Sequence, residues 1–301
     1  MRSLSTWFRQ ILATGKPFLQ LYTIEGASYS TADFSYTLKR SWPSFQDDLT
    51  SFKETISETI SAGRPMTFLK FGDGDYYFLK GVPTGSARPG HRAISQELSE
   101  ESLETYRRNS RLADRYMCEI GVANRRMFRE VFPGQGVDYP AEFVYGLLAN
   151  RWLTSQFRNS IGLIGGEQKI HLIEKLMKFP EYQEYLGLET FQDYIVIPDK
   201  FAADDLNTTL TALQQQIQTS SSSLFLMGVG HVKSGIIPYL SKFRSAVYLD
   251  VGSGIDALAG VISPSRPYMA DWTNFRLRAG LDYNSLDLLD YEFDGRAKFI
   301  G

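Results

Sequence analysis

The residues best placed to do chemistry lie in FLKFGDGDYYFLKG, Phe68 to Gly81, where an apolar run stops at Gly72-Asp73-Gly74-Asp75 and resumes with aromatics. Asp73 and Asp75 are hard oxygen donors one residue apart. Divalent cations such as Mn²⁺ and Mg²⁺ take such ligands and often share them with substrate phosphates. Each glycine reaches backbone angles that a residue with a Cβ resists, so one tight turn can aim both acids into a cleft. Asp-Gly is also a strong turn signal, and a plain hairpin turn is the competing reading.

Two later loops offer partners. In LFLMGVGHVK, Leu224 to Lys233, Gly228 and Gly230 stand between an apolar run and a helical pattern. Backbone there can approach a phosphate at a helix N-terminus, with His231 and Lys233 as added donors. The next glycine, Gly235, falls two positions late for a dinucleotide fingerprint, so strand-to-helix punctuation is the alternative. IGLIGGEQK, around Gly162, Gly165 and Gly166, has the same form and reads equally as a fold turn. In AVYLDVGSGIDALAG, Ala246 to Gly260, a strand ends at Asp250 and runs into Gly252 and Gly254. Asp256 beyond it suits a base, a sugar-hydroxyl ligand or a helix cap. If a hydroxyl must lose its proton, Asp75, Asp199 and Asp256 are the candidate bases.

Other chemistries find less support. Neither His91 nor His171 has a partner at metal-ligand spacing. No Gly-x-Ser-x-Gly elbow appears, VGSGID having Ile where the last glycine belongs, and there is no Walker loop. Arg107, Arg108, Arg111, Arg115, Arg125, Arg126 and Arg129 form a basic run that could hold a phosphate but reads first as a solvated helical face. Tyr76, Tyr77 and Phe78 could stack on a base or sugar, with at least one of them expected in the core.

These residues need a scaffold that gathers distant loops. Short apolar runs alternate with amphipathic stretches, the pattern of a parallel sheet flanked by helices. Strands are expected at Thr67 to Phe71, Tyr116 to Val122, Ile161 to Ile164, Tyr194 to Ile197, Leu224 to Met227 and Ala246 to Asp250. Helices are expected at Glu100 to Arg111, Ala141 to Phe157, Gln168 to Phe179, Asp204 to Thr219 and Ser234 to Phe243. In a doubly wound sheet the carboxyl ends of the strands line one crevice, so Asp73, Asp75, Gly165, Asp199, Gly228, Gly230 and Asp250 would converge.

At 301 residues, 43% hydrophobic and 22% charged, the chain can bury a sizeable core. A net charge of −2 and a pI near 6.0 argue against a nucleic-acid partner. The single cysteine, Cys118, excludes an internal disulfide and fits a reducing compartment, with core packing as its expected role. No apolar stretch reaches the roughly 18 residues of a membrane span. The N-terminus, with Arg2, Arg9 and Lys16 among Trp7, Phe8, Ile11 and Leu12, is expected to form a helix packed on the body, with contact to an anionic membrane surface as the second reading. The expected location is the cytoplasm, with peripheral contact at the inner face of the membrane. Residues 1–61 are read as a helical and loop extension, 62–275 as the catalytic domain and 276–301 as an acidic tail.

LKFGDGDYYFLKG at Leu69 to Gly81, GVGHVKSG at Gly228 to Gly235 and YLDVGSGIDALAG at Tyr248 to Gly260 together resemble the GT-D-fold glycosyltransferases, a family first catalogued as a domain of unknown function in bacterial glycosylation clusters. The order and spacing agree over about Ala62 to Trp272. Lys70 stands where that family usually has arginine, and Asp75 where it has glutamate. The resemblance implies a Rossmann-like α/β fold of GT-D type. It implies transfer of a sugar from a nucleotide diphosphate donor, with UDP the expected nucleotide, to a glycan, glycoprotein or glycolipid hydroxyl. It also implies Mn²⁺ or Mg²⁺ at Asp73 and Asp75, and donor contacts from Lys70, Gly72, Gly228, Gly230, His231, Lys233 and Asp250. Two other readings stay open. One is a permuted S-adenosylmethionine-dependent methyltransferase, since Asp250 to Gly254 looks like the cofactor loop of that class although little chain follows it. The other is a non-catalytic nucleotide-binding protein.

Overall fold

The computed structural model describes residues 24–25, 42–262, 268 and 298–299. The basic N-terminal segment and the acidic tail expected at 276–301 lie outside the described residues, apart from Lys298 and Phe299.

In chain order the elements that build the body are α1 (Phe45–Ser61), β1 (Met66–Phe71), α2 (Asp73–Leu79), α3 (Glu100–Ser110), β2 (Arg115–Cys118), α4 (Val122–Val131), β3 (Tyr139–Pro140), α5 (Glu142–Ala149), α6 (Trp152–Gln156), β4 (Ile161–Gly166), α7 (Glu167–Leu176), α8 (Pro180–Leu186), β5 (Asp193–Ile197), α9 (Leu206–Thr219), β6 (Leu224–Gly228), α10 (Lys233–Phe243), β7 (Val247–Asp250) and α11 (Gly254–Leu258). β1 to β7 form one sheet in the order β3-β2-β1-β7-β6-β4-β5. Its pairings are all parallel. This is the doubly wound α/β sheet that the alternating pattern predicts.

Strand side chains alternate between the sheet's two faces, and the two faces carry separate cores. Phe68, Leu163, Leu224, Leu226, Val247 and Leu249 pack with α1, α5, α7 and α11. Leu69, Phe71, Phe225, Met227 and Tyr248 pack with α3, α4, α9 and α10. The sequence assigns α1 to the N-terminal extension, yet its Phe45, Leu49, Phe52 and Ile56 are buried in the first of these cores.

Three expectations change. The strand expected to run to Val122 stops at Cys118, because Gly121 starts α4 as its N-cap. The helix expected over Ala141 to Phe157 is two helices, broken where Arg151 takes a left-handed φ of 63°. The turn expected at Gly72 to Asp75 is the first turn of α2. Gly72 is its N-cap, and the Asp75 carboxylate reaches back to accept the Gly72 N–H at 2.9 Å. That is the acidic half of a capping box, which satisfies an N–H the helix itself cannot.

Glycine at 228 serves close packing between strand ends. A Cβ there would lie 2.5 Å from Ile255 Cγ1 and 2.7 Å from the Gly252 carbonyl oxygen. Gly228→Ala is expected to cost about 1–3 kcal/mol in urea denaturation, because a backbone atom cannot step aside as a side chain does. Gly136→Ala, with nothing within 4 Å, is the control, expected within about 0.5 kcal/mol of the parent.

Candidate active site

The carboxyl edge of the sheet is organised around a buried ammonium. Lys233, at the start of α10, places Nζ 2.8 Å from Asp250 Oδ2 and 3.0 Å from Asp75 Oδ2. Its third donor meets the Lys70 carbonyl at 2.5 Å. Asp250 in turn accepts the N–H groups of Lys70 at 3.1 Å and Gly252 at 2.9 Å. Lys70, Asp75, Lys233 and Asp250 are all buried, so two positive and two negative charges offset one another away from water. Burial works against ionisation of Asp75, but the Lys233 charge, the hydrogen bond to His231, and the charges of His231 and Lys70 hold its carboxyl well below the usual aspartate range. Burial likewise opposes the Lys233 charge, and Asp250 and Asp75 overcome it, leaving the ammonium raised above its ordinary value.

Beside this cluster lies a crevice of ≈ 380 Å³ above the ends of β4, β5 and β6. Ser86, Arg92, Lys169, Asp199, His231 and Asp256 supply its polar wall, and Gly166, Gly228 and Gly230 supply backbone. Gly230 has φ of 62°, and a Cβ there would meet nothing within 4 Å. Lys169 pairs with Asp256. Asp199 receives the Gln168 N–H at the start of α7, at 3.1 Å to Oδ2, while burial pushes its carboxyl upward. His231 is buried, its ring stacked on Phe78 at 4.9 Å between centroids with an 11° tilt. Nδ1 lies 3.2 Å from Asp75 Oδ1, and Nε2 lies 2.5 Å from Ser86 Oγ.

The residues singled out from sequence therefore separate. Gly228, Gly230, His231 and Asp256 line the crevice. Lys70, Asp75, Lys233 and Asp250, expected to touch donor or metal, are engaged with one another, because the fold needs their charges to offset in its interior. Lys70 lies over the Tyr145 ring at 5.5 Å. Gly72 is a helix cap. Asp73 alone of the two loop acids is exposed, with Oδ1 accepting the Gly74 N–H at 2.8 Å. Asp75 Oδ2 holds an ammonium and an amide, so of the expected Asp73/Asp75 metal pair Asp73 is the acid that faces solvent. Among the described residues no group of three His, Cys, Asp or Glu is arranged to hold a metal. Gly235 packs α10, since a Cβ there would lie 2.6 Å from Tyr106 Cε1.

The arginine run is divided between α3, α4 and their flanks. Arg107 pairs with Glu100, and Arg126 lies 3.9 Å from Glu130. Of the aromatics, Phe78 is core and Tyr76 donates to Glu130 at 2.8 Å. Sequence reasoning missed Ser86, Arg92 and Lys169. Ser86 and Arg92 fall in an irregular stretch with no periodicity, and Lys169 reads as an ordinary helix residue until its partner Asp256, on another element, is seen.

No family model matches the chain, and no curated protein matches it. Among solved structures, it is similar to one described as a new glycosyltransferase (DUF1792) from Streptococcus sanguinis. The identity is 14%, covering 68% of this chain and 81% of that one, with a TM-score of 0.43. At that identity and score the likeness carries no functional weight. Among the described residues no helix is long and apolar enough to cross a membrane.

Removing the ammonium leaves two carboxylates buried together. Lys233→Met is expected to destabilise by about 3–5 kcal/mol in chemical denaturation. Lys169→Met, at a part-exposed pair, is expected to cost under about 1 kcal/mol. The cluster also shapes the pH profile. A depressed carboxyl stabilises fully above its ordinary value, so the Asp75 contribution is present above about 3.8 and decays as pH falls towards its lower folded value. The raised Lys233 contributes below about 10.5 and fades as pH rises through its folded value. Stability measured against pH is expected to form a plateau between those limits, and Asp75→Asn is expected to flatten the acid limb.

Proposed function

We propose that the protein is a glycosyltransferase that moves a sugar from a nucleotide diphosphate donor, with UDP the expected nucleotide, to an acceptor hydroxyl. The observation that carries this reading is the ≈ 380 Å³ crevice at the carboxyl ends of β4, β5 and β6. Open parallel sheets bind ligands at that edge, and the volume falls within the range of small-molecule sites. Arg92 and Lys169 supply cationic donors for phosphate oxygens, and Asp199 and Asp256 supply acceptors for sugar or ribose hydroxyls. The opposing charges suit a ligand that carries both groups better than a bare anion. Support also comes from the three segments of the glycosyltransferase resemblance, since Leu69 to Gly81, Gly228 to Gly235 and Tyr248 to Gly260 meet at Lys233.

In such a transfer the bond from the anomeric carbon to the diphosphate oxygen breaks, and a bond to the acceptor oxygen forms. An acceptor in this crevice meets Asp199 and Asp256, whereas Asp75 lies behind His231. A divalent ion carried in with the diphosphate would take Asp73, the exposed acid of the loop, as a ligand, since among the described residues no group of three His, Cys, Asp or Glu could hold one alone. Bound there, Mn²⁺ or Mg²⁺ would neutralise charge on the departing diphosphate. The methyltransferase alternative is not favoured, because the Asp250 carboxylate is buried and already accepts from Lys70, Gly252 and Lys233.

A thermal-shift panel of nucleotide sugars and S-adenosylmethionine, with and without Mn²⁺, tests the reading. A nucleotide sugar at about a hundred times its Kd should stabilise by about 2.7 kcal/mol. Arg92→Gln should weaken that binding about tenfold. Stabilisation by S-adenosylmethionine, with none from any nucleotide sugar in either metal condition, would overturn it.

A further inference from the structure

Ser86, His231 and Asp75 form an unbroken polar chain that the transfer reaction above does not require. Asp75 and His231 are 156 residues apart in sequence, and His231 and Ser86 are 145 apart. The chain runs from a buried carboxylate, through a buried imidazole, to a hydroxyl at the crevice wall.

Each link has an orienting cause. Asp75 is fixed by the Gly72 N–H and by Lys233, and it is held ionised, so it can only accept. In the tautomer this contact selects, Nδ1 donates to Asp75 and Nε2 faces Ser86 Oγ. Stacking on Phe78 holds the ring plane. Gly74 makes room, since a Cβ there would lie 3.0 Å from His231 Cε1 and 3.7 Å from Ser86 Oγ. Ser86 itself sits in a single 3₁₀ turn, Gly85–Ala87, where Gly85 takes φ of 59° and Ala87 is buried beneath it. Nucleophile, base and orienting acid thus stand in the relation that activates a serine, a relation recognised by geometry and role rather than by chain order or motif. The missing Gly-x-Ser-x-Gly elbow hides it from sequence, because here a 3₁₀ turn presents the serine.

We propose that Ser86 is a nucleophile activated by His231 and Asp75, and that the crevice accepts short-chain O-acyl esters of hydroxyl-rich compounds. Ser86 Oγ bonds to the ester carbonyl carbon while its proton passes to His231 Nε2. The bond from that carbon to the alcohol oxygen then breaks, and the alcohol leaves with the proton. Water, or a second alcohol, attacks the acyl carbon and gives its proton to His231; the bond from that carbon to Ser86 Oγ breaks, His231 returns the proton to Oγ, and the acid or the new ester leaves. The small volume favours a short acyl group, and the polar wall of Arg92, Lys169, Asp199 and Asp256 favours a polar alcohol portion. This activity does not depend on glycosyl transfer.

The test uses the full chain with p-nitrophenyl acetate as probe. The parent should release p-nitrophenolate and carry an acetyl group on the Ser86 peptide by mass spectrometry. Ser86→Ala should abolish both, and His231→Gln should lower the rate about a hundredfold or more. Melting curves of both variants confirm that they are folded, and Ser86 at a part-exposed position tolerates the change. A folded parent with no acetyl on Ser86, or Ser86→Ala turning over the ester at the parental rate, would overturn the proposal.

Discussion

One buried ammonium sets the terms for everything at the carboxyl edge of the sheet. Lys233 enters from the start of α10 and is met by Asp250 from β7, Asp75 from α2 and the main chain of β1. A charge in that position is tolerable only when every donor is satisfied, so the three chain ends hold their relative positions together or not at all. Such a constraint does not add much stability over an apolar core. It specifies an arrangement, which is what a crevice assembled from distant loops requires.

Asp75 shows how a single side chain can serve structure and chemistry at once. Its Oδ2 faces Gly72 and Lys233, while its Oδ1 faces His231. The first oxygen belongs to the helix cap and the ion cluster, and the second orients an imidazole. Replacing Asp75 disturbs both, so its effect on activity cannot be separated from its effect on folding. His231 and Ser86 lie further out along the same chain, where the two roles part.

Much of this was legible in the residues. The short apolar runs of β1, β6 and β7 and the glycines beyond them gave the parallel sheet and placed Asp199, Gly228 and Gly230 at one edge. The division between buried cluster and crevice was not legible, because Lys70, Lys233, Asp75 and Asp250 carry the same charges whether they bind a ligand or one another. Only burial and distance tell those cases apart. Gly72 to Asp75 misled in an instructive way. Glycine and aspartate favour turns and helix starts alike, and the outcome was decided by the N–H of Gly72, which the Asp75 carboxylate could satisfy. Ser86 gave no signal, since its importance lies wholly in being 2.5 Å from a residue far along the chain.

Asp199 decides which groups in the crevice are left to meet a phosphate. Its carboxylate already sits on the amide at the start of α7, the place where the helix dipole would otherwise welcome a phosphate. With that amide taken, a phosphate in the crevice is left to the Arg92 and Lys169 cations near Asp199, while Gly230 presents backbone with open space beside it. The charged half of a ligand is consequently held by side chains rather than by the helix start.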